Sequence, residues 1–312
     1  MRSCIVGPTA AGKSAIAMAL AQRFDLAIVS ADSRQVYRGF DIGTAKPTAR
    51  EQADVLHYGI DVADPTERYS AHRWAEDAKQ WEQNARAVQR APVIVGGTGL
   101  YIRALVEPLD PMPSLDPVQR ALLEPWLAAL SMEELERWCH RLDPARAHLG
   151  RTQRLRAIET ALLTGERLSE YLGSGKTEPD TEPTRYLVVD PGPILASRIA
   201  ERVHTMLHAG FEDEVVALSK SIPTDAPAWK ASGYSVLRDT VEGRVARAVA
   251  IERIIIETRQ YAKRQRTWFR HQLPDDAVTH LNPMSPNAVD AAVAWWLAGS
   301  DVAGEARGGV HT

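Results

Sequence analysis

Short apolar runs alternate with longer amphipathic stretches over the first hundred residues. Cys4-Ile5-Val6, residues 26–30 (Leu-Ala-Ile-Val-Ser) and residues 92–95 (Pro-Val-Ile-Val) are short and almost wholly apolar, the pattern of strands buried in a parallel sheet. Between them, Ala15 to Phe24 reads as a helix. Residues 71–90 put Trp74, Ala78, Trp81, Ala85 and Val88 on one helical face, so both tryptophans are expected in the core. Residues 39–47 read as a loop and Ile60-Asp61-Val62 as a short strand. The alternation predicts an α/β fold, a parallel sheet with crossover helices. The pattern changes near Pro108. Leu109 to Pro113 forms a linker. Helical spacing then runs from Leu115 to Leu172, with breaks at Leu142-Asp143-Pro144 and Thr164-Gly165, and residues 173–183 make a polar connection. Tyr186 to Asp190 restores a strand, residues 193–271 are mostly helical, and 290–298 make a last helix. The expected domains are an α/β core with C-terminal helices (1–112 and 184–300), a helical insertion domain (113–183) and a disordered tail (301–312).

Composition changes this picture little. Hydrophobic content is 45%, charged content 25% and net charge -3, so any nucleic-acid surface must come from local clustering. The two cysteines and nine histidines show no metal-ligand spacing. No apolar run approaches the ~18 residues of a membrane span. With the first glycine-rich turn so near residue 1, no signal peptide is expected. A reducing, cytoplasmic compartment without membrane attachment is the expectation.

The chemistry starts at residues 7–14, GPTAAGKS. An apolar run, a glycine-rich turn ending in Gly-Lys-Ser, then a helix is the phosphate-binding P-loop pattern. Gly7 and Gly12 let the backbone curl. Thr9, Ala10 and Ala11 lie in the turn, Lys13 adds a point charge, and Ser14 offers a hydroxyl to Mg²⁺. GGTG at 96–99 is a second glycine-rich strand-to-helix turn. Asp32 ends the second strand, where a carboxylate can serve as a general base or as a helix cap. The strand at 92–95 ends in Gly-Gly, and Asp190 is the only other candidate for a Mg²⁺-binding strand-end acid. The loop thus holds phosphate without the usual hydrolytic apparatus. Two basic clusters stand out: Arg146, Arg151, Arg154 and Arg156, and the stretch from Arg253 to Arg270 interleaved with Tyr261, Trp268 and Phe269. Such runs suit a nucleic-acid backbone, and they also suit a solvated helix face.

Several motifs, in order, resemble the bacterial tRNA dimethylallyltransferases: GPTAAGKS, SADSRQVYRGFDIGTAKP (30–47), GGTGLYIRAL (96–105), QRLRAIE (153–159), GFEDEV (210–215) and YAKRQRTWFR (261–270). The resemblance implies transfer of a dimethylallyl group from dimethylallyl diphosphate to N6 of adenosine 37 in tRNA. It implies that the P-loop binds the diphosphate, with Mg²⁺ at Ser14. It also implies Asp32 as the base, Thr98 near the reacting groups and Arg198 on the diphosphate. The tRNA anticodon stem-loop would lie along Asp32, Ser33, Arg34, Gln35, Thr98, Arg120, Gln153, Arg154, Leu155, Arg156, Ala157, Lys230, Ala231, Ser232, Gly233, Tyr234 and Ser235. Arg154 and Arg156 would sit on its phosphates. The segment from Trp229 to Ser235 carries less positive charge than the family pattern. A monomer is expected. The competing readings are a nucleotide or small-molecule kinase, an RNA-binding P-loop protein without turnover, and a prenyltransferase acting on free AMP.

Overall fold

The computed structural model describes residues 1–107, 113, 115–172 and 182–305. Most of the expected linker at 109–113, most of the polar connection at 173–183, and tail residues 306–312 lie outside the described residues. The chain divides into two compact units, residues 107–180 and the rest.

The larger unit begins with β1 (Arg2–Val6), α1 (Lys13–Phe24), β2 (Leu26–Ala31), α2 (Ala49–Asp54), β3 (Leu56–Tyr58), α3 (Ala71–Ala87), β4 (Ala91–Gly96) and α4 (Gly99–Val106). The smaller unit holds α5 (Pro117–Ala129), α6 (Met132–Leu142), α7 (Arg151–Thr164) and α8 (Leu168–Tyr171). The larger unit then resumes with β5 (Thr184–Val189), α9 (Leu195–His208), α10 (Phe211–Ser219), α11 (Tyr234–Val241), α12 (Arg247–Gln272), β6 (Val278–Leu281) and α13 (Ala288–Glu305). The six strands form one sheet in the order β3-β2-β4-β1-β5-β6, and every pairing is parallel.

Every residue of β1 and β2 is buried, as expected where both faces of a parallel sheet are covered. On one face Ile16 and Leu20 of α1 and Trp296 of α13 pack over Ile5, Val93 and Leu187. On the other, Trp74 is fully buried, stacks on Tyr101 at 4.7 Å, and donates its indole N–H to the Ser30 carbonyl at 3.0 Å. Trp81 is only half-buried, and Val88 caps the end of α3 exposed to solvent, so the expected apolar face ends one turn early. Residues 60–62 are not a strand. Gly59 at φ 77° and Asp61 at φ 56° are left-handed, which no strand tolerates, and the pairing falls on Leu56–Tyr58 instead. The edge strand β6 escaped the sequence reading because it is short and half-exposed. The last helix runs past 298 to Glu305, which removes 301–305 from the expected tail.

The smaller unit has its own core of Leu135, Cys139, Ala157, Ile158 and Leu168. Ser131 and Glu134 form a capping box that starts α6. Asp143 is fully buried, and its carboxylate accepts the Ser169 N–H at 2.9 Å and the Ser169 hydroxyl at 2.6 Å. That pairing anchors α8.

Candidate functional site

The strand order brings three turns together. The P-loop follows β1, the GGTG turn follows β4, and Asp32 follows β2, and these strands are neighbours in the order β2-β4-β1. Carboxyl ends of parallel strands are where such sheets bind ligands.

Gly7 has φ 146°, and a Cβ there would meet the Val189 carbonyl oxygen at 2.2 Å, so only glycine fits. Ala10 is left-handed at φ 61°, a strained position at a turn. Arg198 donates from Nε to the Ala10 carbonyl at 3.0 Å and so steadies that turn. A cavity of about 380 Å³ is lined by residues 10–15 with Arg198, Glu201, Arg202 and Thr205. Lys13 donates to the Pro8 carbonyl at 2.7 Å. Burial pushes its ammonium down to about 8, with Arg202 adding to the shift and Asp32 opposing it. Burial also lowers Arg202, which Asp32 counters and Arg198 reinforces. Two guanidinium groups one helical turn apart on α9 therefore face a loop whose backbone N–H groups favour anions.

Asp32 accepts the Arg34 N–H on Oδ1 at 2.8 Å, and Oδ2 has no hydrogen-bond partner among the described residues. The Thr98 hydroxyl accepts the Ser33 N–H at 3.0 Å, and the Thr98 N–H donates to the Ala31 carbonyl at 3.1 Å. Thr98 is thereby tied to both sides of Asp32. Burial, with Asp32 adding to it, pushes the Tyr261 phenol up to about 12, so it stays protonated at neutral pH. These groups border a cavity of about 370 Å³ whose polar end includes Thr9, Asp32, Arg34, Arg202, Tyr261 and Arg264. Its apolar wall includes Ile199, Val203, Met206, Phe211 and Ile254. Arg202 borders this cavity and the P-loop cavity alike. A third cavity, about 300 Å³, is lined by Ser14, Met18, Ile28, Gln35, His57 and again Arg202.

The residues after Asp32 form a braced loop. Glu214 accepts the N–H groups of Asp41 at 3.1 Å and Ile42 at 2.7 Å, and the Tyr234 hydroxyl at 2.6 Å. Gly43 lies so close to Phe211 and Tyr234 that a Cβ would come within 2.2 Å and 2.6 Å of their rings. Lys46 is chelated by Asp41 and Asp61 at 2.5 Å each and by the Tyr37 carbonyl at 2.6 Å. Gln35 is spent on this loop too, donating to the Ala45 carbonyl at 3.0 Å and accepting from the Ser30 hydroxyl at 2.9 Å. The resemblance put Gln35, Ala231, Gly233 and Tyr234 against tRNA. Gln35 is internally paired, and Ala231, Gly233 and Tyr234 are buried, with Ala231 also lining the Asp32 cavity. Lys230, Ser232 and Ser235 are exposed, and the first two border the Asp32 cavity. Ser33 and Arg34 are half-buried.

In the smaller unit the expected pair of phosphate contacts comes apart. Arg154 is 8% exposed and donates to the Met132 carbonyl at 3.2 Å, with Glu136 at 3.4 Å. In the free protein it serves as an internal strut. Arg156 and Arg120 converge on the buried Glu159, at 2.8 Å and 2.5 Å, with their own side chains half-exposed. Gln153 is exposed and caps α7 by accepting the Gly150 N–H at 3.0 Å. Leu155 is half-buried and Ala157 is buried. Arg154→Ala is therefore expected to destabilise this unit by about 2 kcal/mol, from the lost charge-assisted bonds to the Met132 carbonyl and Glu136. Thermal unfolding checks this; an unchanged Tm would return Arg154 to the surface role.

Asp190 is claimed by Arg266, whose Nε donates to its Oδ2 at 2.8 Å, while Oδ1 accepts the Gly192 N–H at 2.8 Å. Its carboxylate is thereby engaged on both oxygens. Among the described residues no cluster of three acidic, His or Cys side chains exists for a metal. Ser14 is exposed at the P-loop cavity with Glu201 on the same rim. One hydroxyl plus substrate oxygens and water suits Mg²⁺, which dehydrates reluctantly and takes few protein ligands. Sequence reasoning gave no individual role to Arg202, nor to Glu214 and Gln265, which lie inside the GFEDEV and YAKRQRTWFR motifs. For Arg202 a signal was present, the i, i+4 spacing from Arg198.

Residues 35–272 match the family described as IPP transferase, and residues 2–57 match the family described as isopentenyl transferase. The chain is 44% identical over 277 residues to a tRNA dimethylallyltransferase of Halorhodospira halophila, covering 86% of this chain and 89% of the relative. It is similar in structure to a tRNA isopentenylpyrophosphate transferase of Bacillus halodurans, with TM-score 0.67, 31% identity and 95% of both chains covered. The corresponding enzyme of Staphylococcus epidermidis matches with TM-score 0.64 and 30% identity over 95% of this chain and 98% of that one. No helix among the described residues is long and apolar enough to cross a membrane.

Proposed function

The chain belongs to the IPP transferase family, and we propose that it moves a dimethylallyl group from dimethylallyl diphosphate to the N6 amine of adenosine 37 in tRNA. The observation that carries this reading is Arg202. One guanidinium borders both the P-loop cavity and the cavity holding Asp32, so an anion in the first lies beside a proton acceptor in the second.

The P-loop N–H groups and Lys13 bind the diphosphate, and Arg198 and Arg202 close over it from α9. Mg²⁺ at Ser14 would add charge neutralisation of the diphosphate. As the allylic C–O bond breaks, its electron pair leaves with the diphosphate, and the cationic groups stabilise that charge. The N6 nitrogen attacks the allylic carbon, and the N6 proton passes to the Asp32 carboxylate. An exocyclic adenine amine is a weak nucleophile, so proton removal during attack lowers the barrier. Thr98, fixed by Ser33 and Ala31, holds the acceptor side of the site in register. The target adenine must leave the anticodon stack, at a cost of a few kcal/mol that contacts elsewhere offset. We assign those contacts to the anticodon stem-loop, with the exposed Gln153 and the half-exposed Arg156 of the smaller unit among the side chains that hold it. A monomer working in the cytoplasm is sufficient for this chemistry.

The test is incubation with Mg²⁺, dimethylallyl diphosphate and unmodified tRNA, then mass analysis of the nucleosides. A five-carbon gain on adenosine is expected. A gain on AMP alone would move the acceptor, and no gain with phosphoryl transfer from ATP would replace the reading with a kinase.

A further inference from the structure

Gln265 stands on α12, far in sequence from both glycine-rich turns, and is 6% exposed. One carboxamide joins those turns. Its Oε1 accepts the Thr9 N–H at 2.8 Å, and its Nε2 donates to the Gly97 carbonyl at 2.8 Å. An N–H can only donate and a carbonyl only accept, so the partners dictate the amide's orientation. The approach to the second turn is close: a Cβ at Gly97 would come within 2.3 Å of Nε2. One turn along α12, Trp268 covers Gly99, where a Cβ would lie 2.3 Å from the indole. α12 thus holds the GGTG turn at two points and the P-loop at one.

We propose that Gln265 is a positioning residue that sets the spacing between the diphosphate cradle and the Asp32–Thr98 pair. The proposal rests on the prenyl-transfer reading above. Thr9 belongs to the P-loop, and Gly97 precedes Thr98, whose hydroxyl takes the N–H of the residue after Asp32. The carboxamide therefore couples the loop that holds the leaving group to the turn that holds the acceptor. Transfer needs the allylic carbon and N6 in line, and a misplacement near 1 Å costs about 100-fold in rate. Ground-state affinity for either substrate alone does not depend on that spacing in the same degree.

Two substitutions separate this role from simple packing. Gln265→Met keeps similar volume and loses both bonds. Gln265→Glu keeps the acceptor for Thr9 and loses the donor to Gly97 unless its carboxyl is protonated. Single-turnover prenylation of tRNA at saturating substrates, KM for each substrate, and Tm are measured for the full chain. Gln265→Met is expected to lose about 100-fold in the single-turnover rate with each KM within about threefold of wild type. Gln265→Glu is expected to recover relative to wild type as pH falls, because a protonated carboxyl donates to Gly97 again. Wild-type rates in both variants would overturn the proposal. So would a loss that follows only weaker binding or lower Tm, with no recovery at low pH. A wild type that fails to prenylate tRNA sinks the underlying reading, and the proposal with it, before any variant is compared.

Discussion

Asp32→Asn is expected to lower the single-turnover rate by about 10²–10⁴-fold, the usual worth of a positioned general base. Asn is the informative replacement because it is isosteric. Asp32 Oδ1 accepts the Arg34 N–H at 2.8 Å, and an amide oxygen preserves that bond and the turn behind it. What is lost is basicity at Oδ2. Tm and tRNA affinity should therefore stay near wild type while turnover collapses. Rates within a few-fold of wild type would remove Asp32 from proton transfer and leave it as a turn residue.

Lys13→Met is expected to lower kcat/KM by about 100-fold, on the scale of removing one preorganised donor from a developing anion. A pH signature identifies the cause. The Lys13 ammonium is lowered from an ordinary 10.5 to about 8, chiefly by burial. Below about 8 it is charged and can bind diphosphate. As pH rises through that value the free enzyme loses the charge, so KM for dimethylallyl diphosphate should rise about tenfold per unit. Stability moves the other way. Between the two values the unfolded chain holds the extra proton, so the folded enzyme gains stability from this group as pH rises. Binding above pH 8 must then take up a proton, which titration calorimetry in buffers of different ionisation enthalpy detects. The Met variant should show neither the KM slope nor the uptake. A slope that persists in the variant would assign the titration to another group.

The turns around the site were legible because they are local. Gly7 and Gly12 have backbone angles that only glycine adopts readily, and α1 ends at the expected Phe24 but begins at Lys13, two residues before the expected Ala15. Buried strands and the helix carrying Trp74 were legible because burial on one or both faces leaves a period in the chain. The strand at 56–58 was misplaced because two left-handed residues, Gly59 and Asp61, override the apolar look of Ile60 and Val62.

The sequence alone determined the chemistry at hand: a P-loop, an acid at a strand end, a threonine in a second glycine turn, and a family resemblance that fits all three. Only the tertiary structure decided which charged and polar side chains meet. Arg154 and Arg156 are equivalent in the sequence, yet one is buried against the Met132 carbonyl and the other shares Glu159 with Arg120. Arg202 and Gln265 look like ordinary polar residues of helices until the sheet order sets their helices against the P-loop. The physical reason is range. Backbone conformation and helical period are written in neighbouring residues, whereas the partner of a charge or a carboxamide is chosen by packing between positions far apart in the chain.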